Sequence, residues 1–425
     1  MKAATLESKF PILAVEHDCI ISKDADITVA YKMELPELFT VTRNEYEAIH
    51  SAWAKAVKVL PNYSIVHRQD WFIEENYTPD IQRDDLSFLS RSFERHFNER
   101  PYLRHTSYLF LTKTTKERSR TQSNFTALTR NFIIPKEMQD KDTVTRFLES
   151  CDQFERIIND SGFVRITRMR KDEITGTENS AGIIEKYFSL SQEETTCLQD
   201  LTLGAAEMKV GDNCLCLHTL SDTDDLPGKV ATDMRYERLS TDRSDCRLSF
   251  AAPIGVLLTC NHIVNQYLFI DDPAENLKKF EKQARNMHSL SRYSRSNQIN
   301  REWIEEYLNE AHSLGLTSIR AHCNVLAWSD DRNRLKQIKN DVGSQLALME
   351  CKPRHNTVDT PTLFWAAIPG NAGDFPFEES YYTFIEQALC FFIGESCSRD
   401  SLSPFGIRMV NPSISTFRIC RCAKA

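Results

Sequence analysis

The chain has 425 residues, 41% of them apolar and 26% charged, and its 52 cations and 60 anions leave a formal net charge of −8. That length accommodates two or three domains, each burying its own core, and the mildly acidic balance excludes a dedicated nucleic-acid coat while allowing a local basic patch. Thirteen cysteines run from Cys19 to Cys422 without a recurring framework, so they read as reduced thiols in a cytosolic compartment.

Met1–Glu7 lacks the apolar core of a signal peptide. Strands are expected at Ile12–Val15, Cys19–Ser22 and Ile27–Tyr31. A helix over Arg43–Leu60 follows, with Tyr46, Ile49, Trp53, Val57 and Leu60 on one face and Pro61 as its stop. Tyr63–Val66 and Trp71–Ile73 read as strand, Asp84–Glu99 as helix, Thr106–Thr112 as strand and Asp142–Asn159 as helix. The polar run Lys171–Ser180 is a candidate linker. Beyond it, strands are expected at Cys214–Thr219, Gly255–Thr259, Gln266–Ile270, Thr317–Trp328 and Leu363–Ile368. Helices are expected at Ala274–Ser289, Asn300–Ser313, Asp331–Glu350 and Ser380–Ile393. The longest apolar-leaning stretch, Phe250–Cys260, is far short of the ~20 residues that span a bilayer. No internal repeat is visible. The pattern predicts an α+β fold of two ferredoxin-like subdomains, 1–170 and 181–410, joined by the linker 171–180.

Site chemistry is sparse. G-x-x-x-x-G-K-[ST] does not occur, and the Gly228-Lys229 pair is followed by Val230, so no phosphate loop of that kind can form. Gly370-Asn371-Ala372-Gly373-Asp374 reads as a turn. Cys214, Cys216 and His218 share one face of a regular strand and could start a zinc site. A second ligand pair is missing, so buried strand cysteines are the simpler reading. Asp222, Asp224 and Asp225 do not have calcium-loop spacing. Lys282–Arg301 holds no acid and carries Arg285, Arg292, Tyr293, Arg295 and Arg301, a candidate contact for nucleic acid or an acidic partner. No nucleophile–base pattern stands out, and no metal or cofactor is expected in this chain.

Five strings carry a resemblance. They are Phe10-Pro11-Ile12-Leu13-Ala14-Val15-Glu16-His17-Asp18, the run Leu86–Pro101, the run Leu239–Arg247, the run Asn286–Gln298, and Phe364-Trp365-Ala366-Ala367-Ile368-Pro369-Gly370-Asn371. In order, from about Leu6 to Val410, they resemble the N-terminal region of TraG-type ATPases of conjugative transposons. Those proteins are in turn similar to the large VirB-type ATPases of type IV secretion. The resemblance implies an α+β region that precedes a RecA-like motor. It also implies a docking and assembly role at the cytoplasmic face of a transfer channel, with channel components and other copies of the ATPase as partners. The chain is then expected in the cytoplasm, peripheral at the inner membrane. ATP and magnesium are expected only in full-length relatives, so no enzymatic activity is expected of this chain.

From Asn411 to Ala425 the text changes character, and Arg418–Ala425 crowds two cysteines and three cations into eight residues. With one permitted choice of codons, Pro412–Ala425 read two bases later becomes Val-His-Leu-Asp-Ile-Pro-Asp-Leu-Pro-Met-Arg-Lys-Gly. That text resembles the family's bridge into its motor, so 411–425 is expected to be a frameshifted tail. The rival expectation is a stand-alone binding protein that contacts DNA or an acidic partner through 285–301. A cysteine- or metal-dependent enzyme ranks last.

Overall fold

Two strands, β1 (Ile12–Glu16) and β2 (Cys19–Ser22), form a tight hairpin after the short helix α1 (Leu6–Lys9); His17 and Asp18 turn it with φ of 51° and 58°. The structure, a computed structural model, describes residues 6–76, 88–89, 92, 95, 101–120, 134–193, 195, 198–204, 207–290 and 295–396. Of the expected helix 84–99 only positions 88, 89, 92 and 95 fall inside that set, all helical, and the tail 411–425 lies outside it. Among the described residues no helix is long and apolar enough to cross a membrane.

The first half then runs β3 (Ile27–Glu34), α2 (Arg43–Val57), β4 (Ser64–Glu75), β5 (Tyr102–Lys113), α3 (Lys141–Asp160) and β6 (Arg165–Arg168). Helix α2 forms where the sequence places Tyr46, Ile49, Trp53 and Val57 on one side, all buried. The Glu45 carboxylate accepts from the Thr42 N–H at 2.7 Å and closes its N-terminus. At α3 the Asp140 carboxylate accepts the N–H groups of Asp142 and Thr143. Strand pairing is antiparallel throughout, in the order β6-β3-β5-β4. That is the 4-1-3-2 order of a ferredoxin-like sheet with both helices on one face. Trp53 of α2 meets Phe154 of α3 edge-on, with ring centroids 5.9 Å apart.

Short helices α4 (Lys171–Thr175) and α5 (Ile183–Ser189) lead into a second half. It comprises β7 (Leu201–Leu203), β8 (Met208–Val210), β9 (Asn213–Leu220), the ribbon β10 (Asp233–Arg235) with β11 (Arg247–Ser249), and β12 (His262–Ile270). A helical hairpin of α6 (Pro273–Leu290) and α7 (Arg295–Leu314) follows, then β13 (Ser318–Ser329), α8 (Arg332–Leu348) and β14 (Arg354–Asn356). The last elements are α9 (Thr360–Ala366), β15 (Tyr381–Phe384) and α10 (Ile385–Leu389). The order β14-β9-β13-β12 again reads 4-1-3-2, all antiparallel. The likeness extends to the flanks. The start of β3 pairs with β2 and its end with β6, just as the start of β9 pairs with β8 and its end with β14. The strand order therefore repeats although no repeat is visible in the sequence, while the helices between the strands differ.

The halves are joined edge to edge. Strand β4 pairs antiparallel with β12 from Ser64↔Ile270 to Phe72↔His262, so one sheet, thirteen-stranded among the described residues, runs through both. The stretch expected as a linker holds α4, whose Ile174 is fully buried in the core that also takes Tyr187, Phe188, Trp71 and Trp365. On the opposite face α2 and α3 cover the first half, and α8, with Leu335, Ile338, Val342 and Leu346 buried, covers the second.

Three expected elements differ. Gly255–Thr259 is not a strand. Pro253 opens a single 3-10 turn over Ala252–Ile254, and a buried loop follows in which Gly255 lies against Ile393. Leu363–Ile368 is not a strand either. Pro361 sits at the start of helix α9, where its fixed φ suits the first turn. The helix expected over Ser380–Ile393 begins only at Ile385, because Tyr381–Phe384 is drawn into the sheet beside Ser318–Ala321.

Candidate partner-contact surface

The α6–α7 hairpin stands between β12 and β13 and is the least buried helical part of the second half. Its root is fixed. Phe280 packs on Tyr307 and Tyr382 with centroids 4.9 and 5.0 Å apart. The Tyr307 hydroxyl donates to Ser318 Oγ at 2.7 Å, and burial pushes that phenol up to about 12. Away from the root, α7 leaves Trp303 60% and Ile299 38% exposed. Arg295, Ile299 and Trp303 recur at four-residue intervals, which puts a cation, an aliphatic and an indole along one stripe. Exposed tryptophan beside arginine is the composition of binding hot spots.

The basic positions separate in the structure. Arg285 is exposed on α6 and its Nε donates to the Glu281 carbonyl; Arg295 is exposed at the start of α7. Neither has an ion-pair partner among the described residues. Arg301 is tied to Glu305 at 2.6 Å, so its charge is locally answered. Arg292 and Tyr293 lie outside the described residues.

Cys214, Cys216 and His218 lie on β9, all buried. Burial pushes the Cys216 thiol up to about 11, and His218 is held down to about 4 by burial, then by His355 and Lys339. Among the described residues no group of three or more metal-ligating side chains converges. Asp225 is buried and accepts from Arg354 at 2.6 Å, and Asp222 caps the turn it opens. At Gly370, φ is 89° and a Cβ would stand 2.5 Å from Ile20 Cγ2, so the expected turn depends on glycine.

Sequence reasoning missed a buried polar ladder across the β4–β12 seam. The His322 Nδ1–H donates to the Glu379 carbonyl at 2.6 Å, and its Nε2 accepts from the Asn324 amide at 2.9 Å. Asn324 Oδ1 accepts from Asn265 at 3.0 Å, and Asn265 Oδ1 accepts from Gln69 at 3.0 Å and from His67 Nε2 at 3.2 Å. Every step has a defined direction, because each amide oxygen is fixed as acceptor by what its own NH2 contacts. Both histidines are neutral links, and burial holds each at about 3. On the other face Arg68 donates to Asp70 at 2.9 Å and His105 lies 3.0 Å from the same carboxylate oxygen. Burial alone would raise Asp70; Arg68 and His105 outweigh it and hold the carboxyl below its usual range. The sequence signal was present as His67-Arg68-Gln69-Asp70, a polar block inside an otherwise apolar run.

Two of the strings described above meet in one core. Ile12 and Val15 of the first, and Phe364, Trp365 and Ile368 of the last, belong to the same apolar cluster. Residues 1–51 match a family described as "Domain of unknown function, B. Theta Gene description (DUF3875)". That match spans β1, β2, β3 and the first turns of α2. No curated protein matches the chain.

Proposed function

We propose that this chain is the N-terminal docking and assembly region of a TraG-type conjugative-transfer ATPase, working in the cytoplasm against a transfer channel. The observation that carries the reading is the ordered set of family-like strings from Phe10 to Asn371, and the family match over 1–51 overlaps the first of them. The strings also have structural work to do: the first and last share a core, and the Asn286–Gln298 string contributes the last residues of α6 and the first of α7.

The role is mechanical rather than chemical. The sequence has no G-x-x-x-x-G-K-[ST] loop, and ATP hydrolysis by a RecA-like motor needs such a cradle, a metal ligand and a positioned water. The hairpin stripe of Arg295, Ile299 and Trp303 is the surface assigned to partner contact, and the continuous sheet is the body that presents it. The test is co-expression with an intact conjugative element. Occupation of channel sites by this chain lowers transfer frequency, and a Trp303→Ser variant expressed to the same level restores it. Unchanged transfer with the wild-type chain refutes the reading.

A second reading is kept because Arg285 and Arg295 are exposed without ion-pair partners among the described residues: direct DNA contact by the hairpin. It requires affinity that falls steeply with salt and is lost when both arginines become alanine.

A further inference from the structure

At the outer edge of the second half, α8 packs on β9 and β13, and a cleft of about 410 Å3 is lined by α8 together with residues of β8, β9 and β14. Its charge is one-sided. Arg332, Lys336 and Lys339 recur at i, i+4 and i+7 along α8 and all line the cleft, and His355 of β14 faces them. Among the described residues lining it, Glu207 is the one acid. Glu207 is already engaged by Arg332, with its two oxygens 3.0 and 3.2 Å from the same guanidinium nitrogen. Lys336 and Lys339 have no carboxylate partner among the described residues.

Below the cleft, His355 meets the buried His218 edge-on at 5.4 Å, and His218 Nδ1 has no hydrogen-bond partner among the described residues. Asn356 uses its carbonyl to accept from the Asp359 N–H at 3.0 Å, which leaves its NH2 available as a donor. Cations and donors therefore converge here with Glu207 as the one counter-charge among the described lining residues, and that carboxylate is taken up by Arg332, in a chain whose net charge is −8. The lining fits an anion with several acceptor oxygens, and the volume falls within the few hundred Å3 usual for small-ligand sites.

We propose that this cleft binds a phosphate-bearing ligand, a nucleotide or the backbone of single-stranded nucleic acid, through Lys336, Lys339 and His355. The cleft lies on α8 and β14, apart from the hairpin assigned to partner contact, and its chemistry is independent of the assembly role.

The experiment uses the full chain and three probes: inorganic pyrophosphate, a nucleoside triphosphate and a short single-stranded oligonucleotide. Binding is read by calorimetry and located by the imidazole resonances of His355. Pyrophosphate is expected to shift His355, with binding weakened at least about tenfold in a Lys336→Gln, Lys339→Gln double variant and unchanged in Lys55→Gln, an exposed lysine of α2. Tighter binding of the triphosphate assigns the cleft to nucleotides, and tighter binding of the oligonucleotide assigns it to nucleic acid. The proposal is overturned if no probe shifts His355 up to about 10 mM, or if the double variant binds as the wild type does. Circular dichroism of the double variant separates lost binding from lost fold. Both lysines are substituted on the cleft side of a helix whose core residues are untouched, and His355→Gln gives an independent check if the double variant unfolds.

Discussion

Asn265 Oδ1 is the meeting point of the seam: His67 Nε2 and Gln69 Nε2 converge on it from β4 at 3.2 and 3.0 Å, while the Asn265 NH2 reaches on to Asn324. One amide thus joins three strands. Replacing it by alanine leaves a ring nitrogen, an amide N–H and an amide oxygen buried without their partner. Each such orphan costs about 1–3 kcal/mol, so Asn265→Ala is expected to destabilise by about 3 kcal/mol or more. Urea denaturation checks this; a midpoint unchanged from wild type would show that the ladder contributes nothing.

The ladder also fixes a pH response. His67 and His322 are held at about 3 and the fully buried His262 at about 4, mainly by burial. Their folded values lie below the ordinary value near 6.5, so between about pH 4 and 6.5 the unfolded chain binds more protons. Stability therefore rises with pH across that window and is lost as pH falls, at about 1.4 kcal/mol per pH unit for each histidine. Protonated His322 would also turn an N–H toward the Asn324 NH2. Thermal unfolding at a series of pH values tests this, and a flat profile from pH 4 to 6.5 contradicts it.

Glu395 works in the other direction. It is fully buried, takes the Ser249 N–H at 3.2 Å and the Tyr46 hydroxyl at 3.1 Å, and burial pushes it up to about 7 against those bonds. The folded state holds this proton up to about pH 7, whereas the unfolded chain releases it near 4.5. The residue's contribution is thus complete below about pH 4.5 and is lost as pH rises toward 7. Glu395→Gln should therefore gain relative to wild type across that interval. A stability difference that does not change with pH would refute it.

Gly370 tests the junction between the first and last strings. Alanine there meets both a left-handed φ and the side chain of Ile20, and strain of this kind costs about 1–3 kcal/mol before the clash is counted. A fall in Tm is expected for Gly370→Ala and not for alanine at Gly228, where a Cβ would meet nothing within 4 Å.

Trp303 separates stability from contact. Its side chain is 60% exposed, so Trp303→Ser is expected to change stability by no more than about 0.5 kcal/mol. Under the proposed role the same variant loses capture of transfer-channel components in a pull-down. Retained capture would move the contact surface elsewhere.

Much of the first half was legible because its helices are amphipathic: Tyr46, Ile49 and Trp53 mark α2, and Phe147, Cys151 and Phe154 mark α3. Strand β4 was legible only at its ends. A strand covered on both faces does not alternate, and here the interruption is polar. His67 through Asp70 are buried; Arg68 and Asp70 pair with each other, and the other partners lie on β5, β12 and distant turns, so the polar block is visible in the sequence while the network it joins is not. The same tertiary pull explains Tyr381–Phe384, whose aromatic run suits a helix face until β13 offers it hydrogen bonds. The basic positions of 285–301 were legible as residues but not as a surface, since Arg301 is neutralised by Glu305 and the exposed stripe is completed by Ile299 and Trp303.

The seam between β4 and β12 makes the molecule a plank rather than a pair of beads. Prising the halves apart would bare two complete strand edges at once and strand the polar side chains between them, so no low-energy hinge exists along that line. A load taken up at the hairpin between β12 and β13 is carried through the sheet into β4 and β5 with little bending. Damage on one side is felt on the other: weakening β3 or β9 should loosen the whole body together, as a single cooperative event.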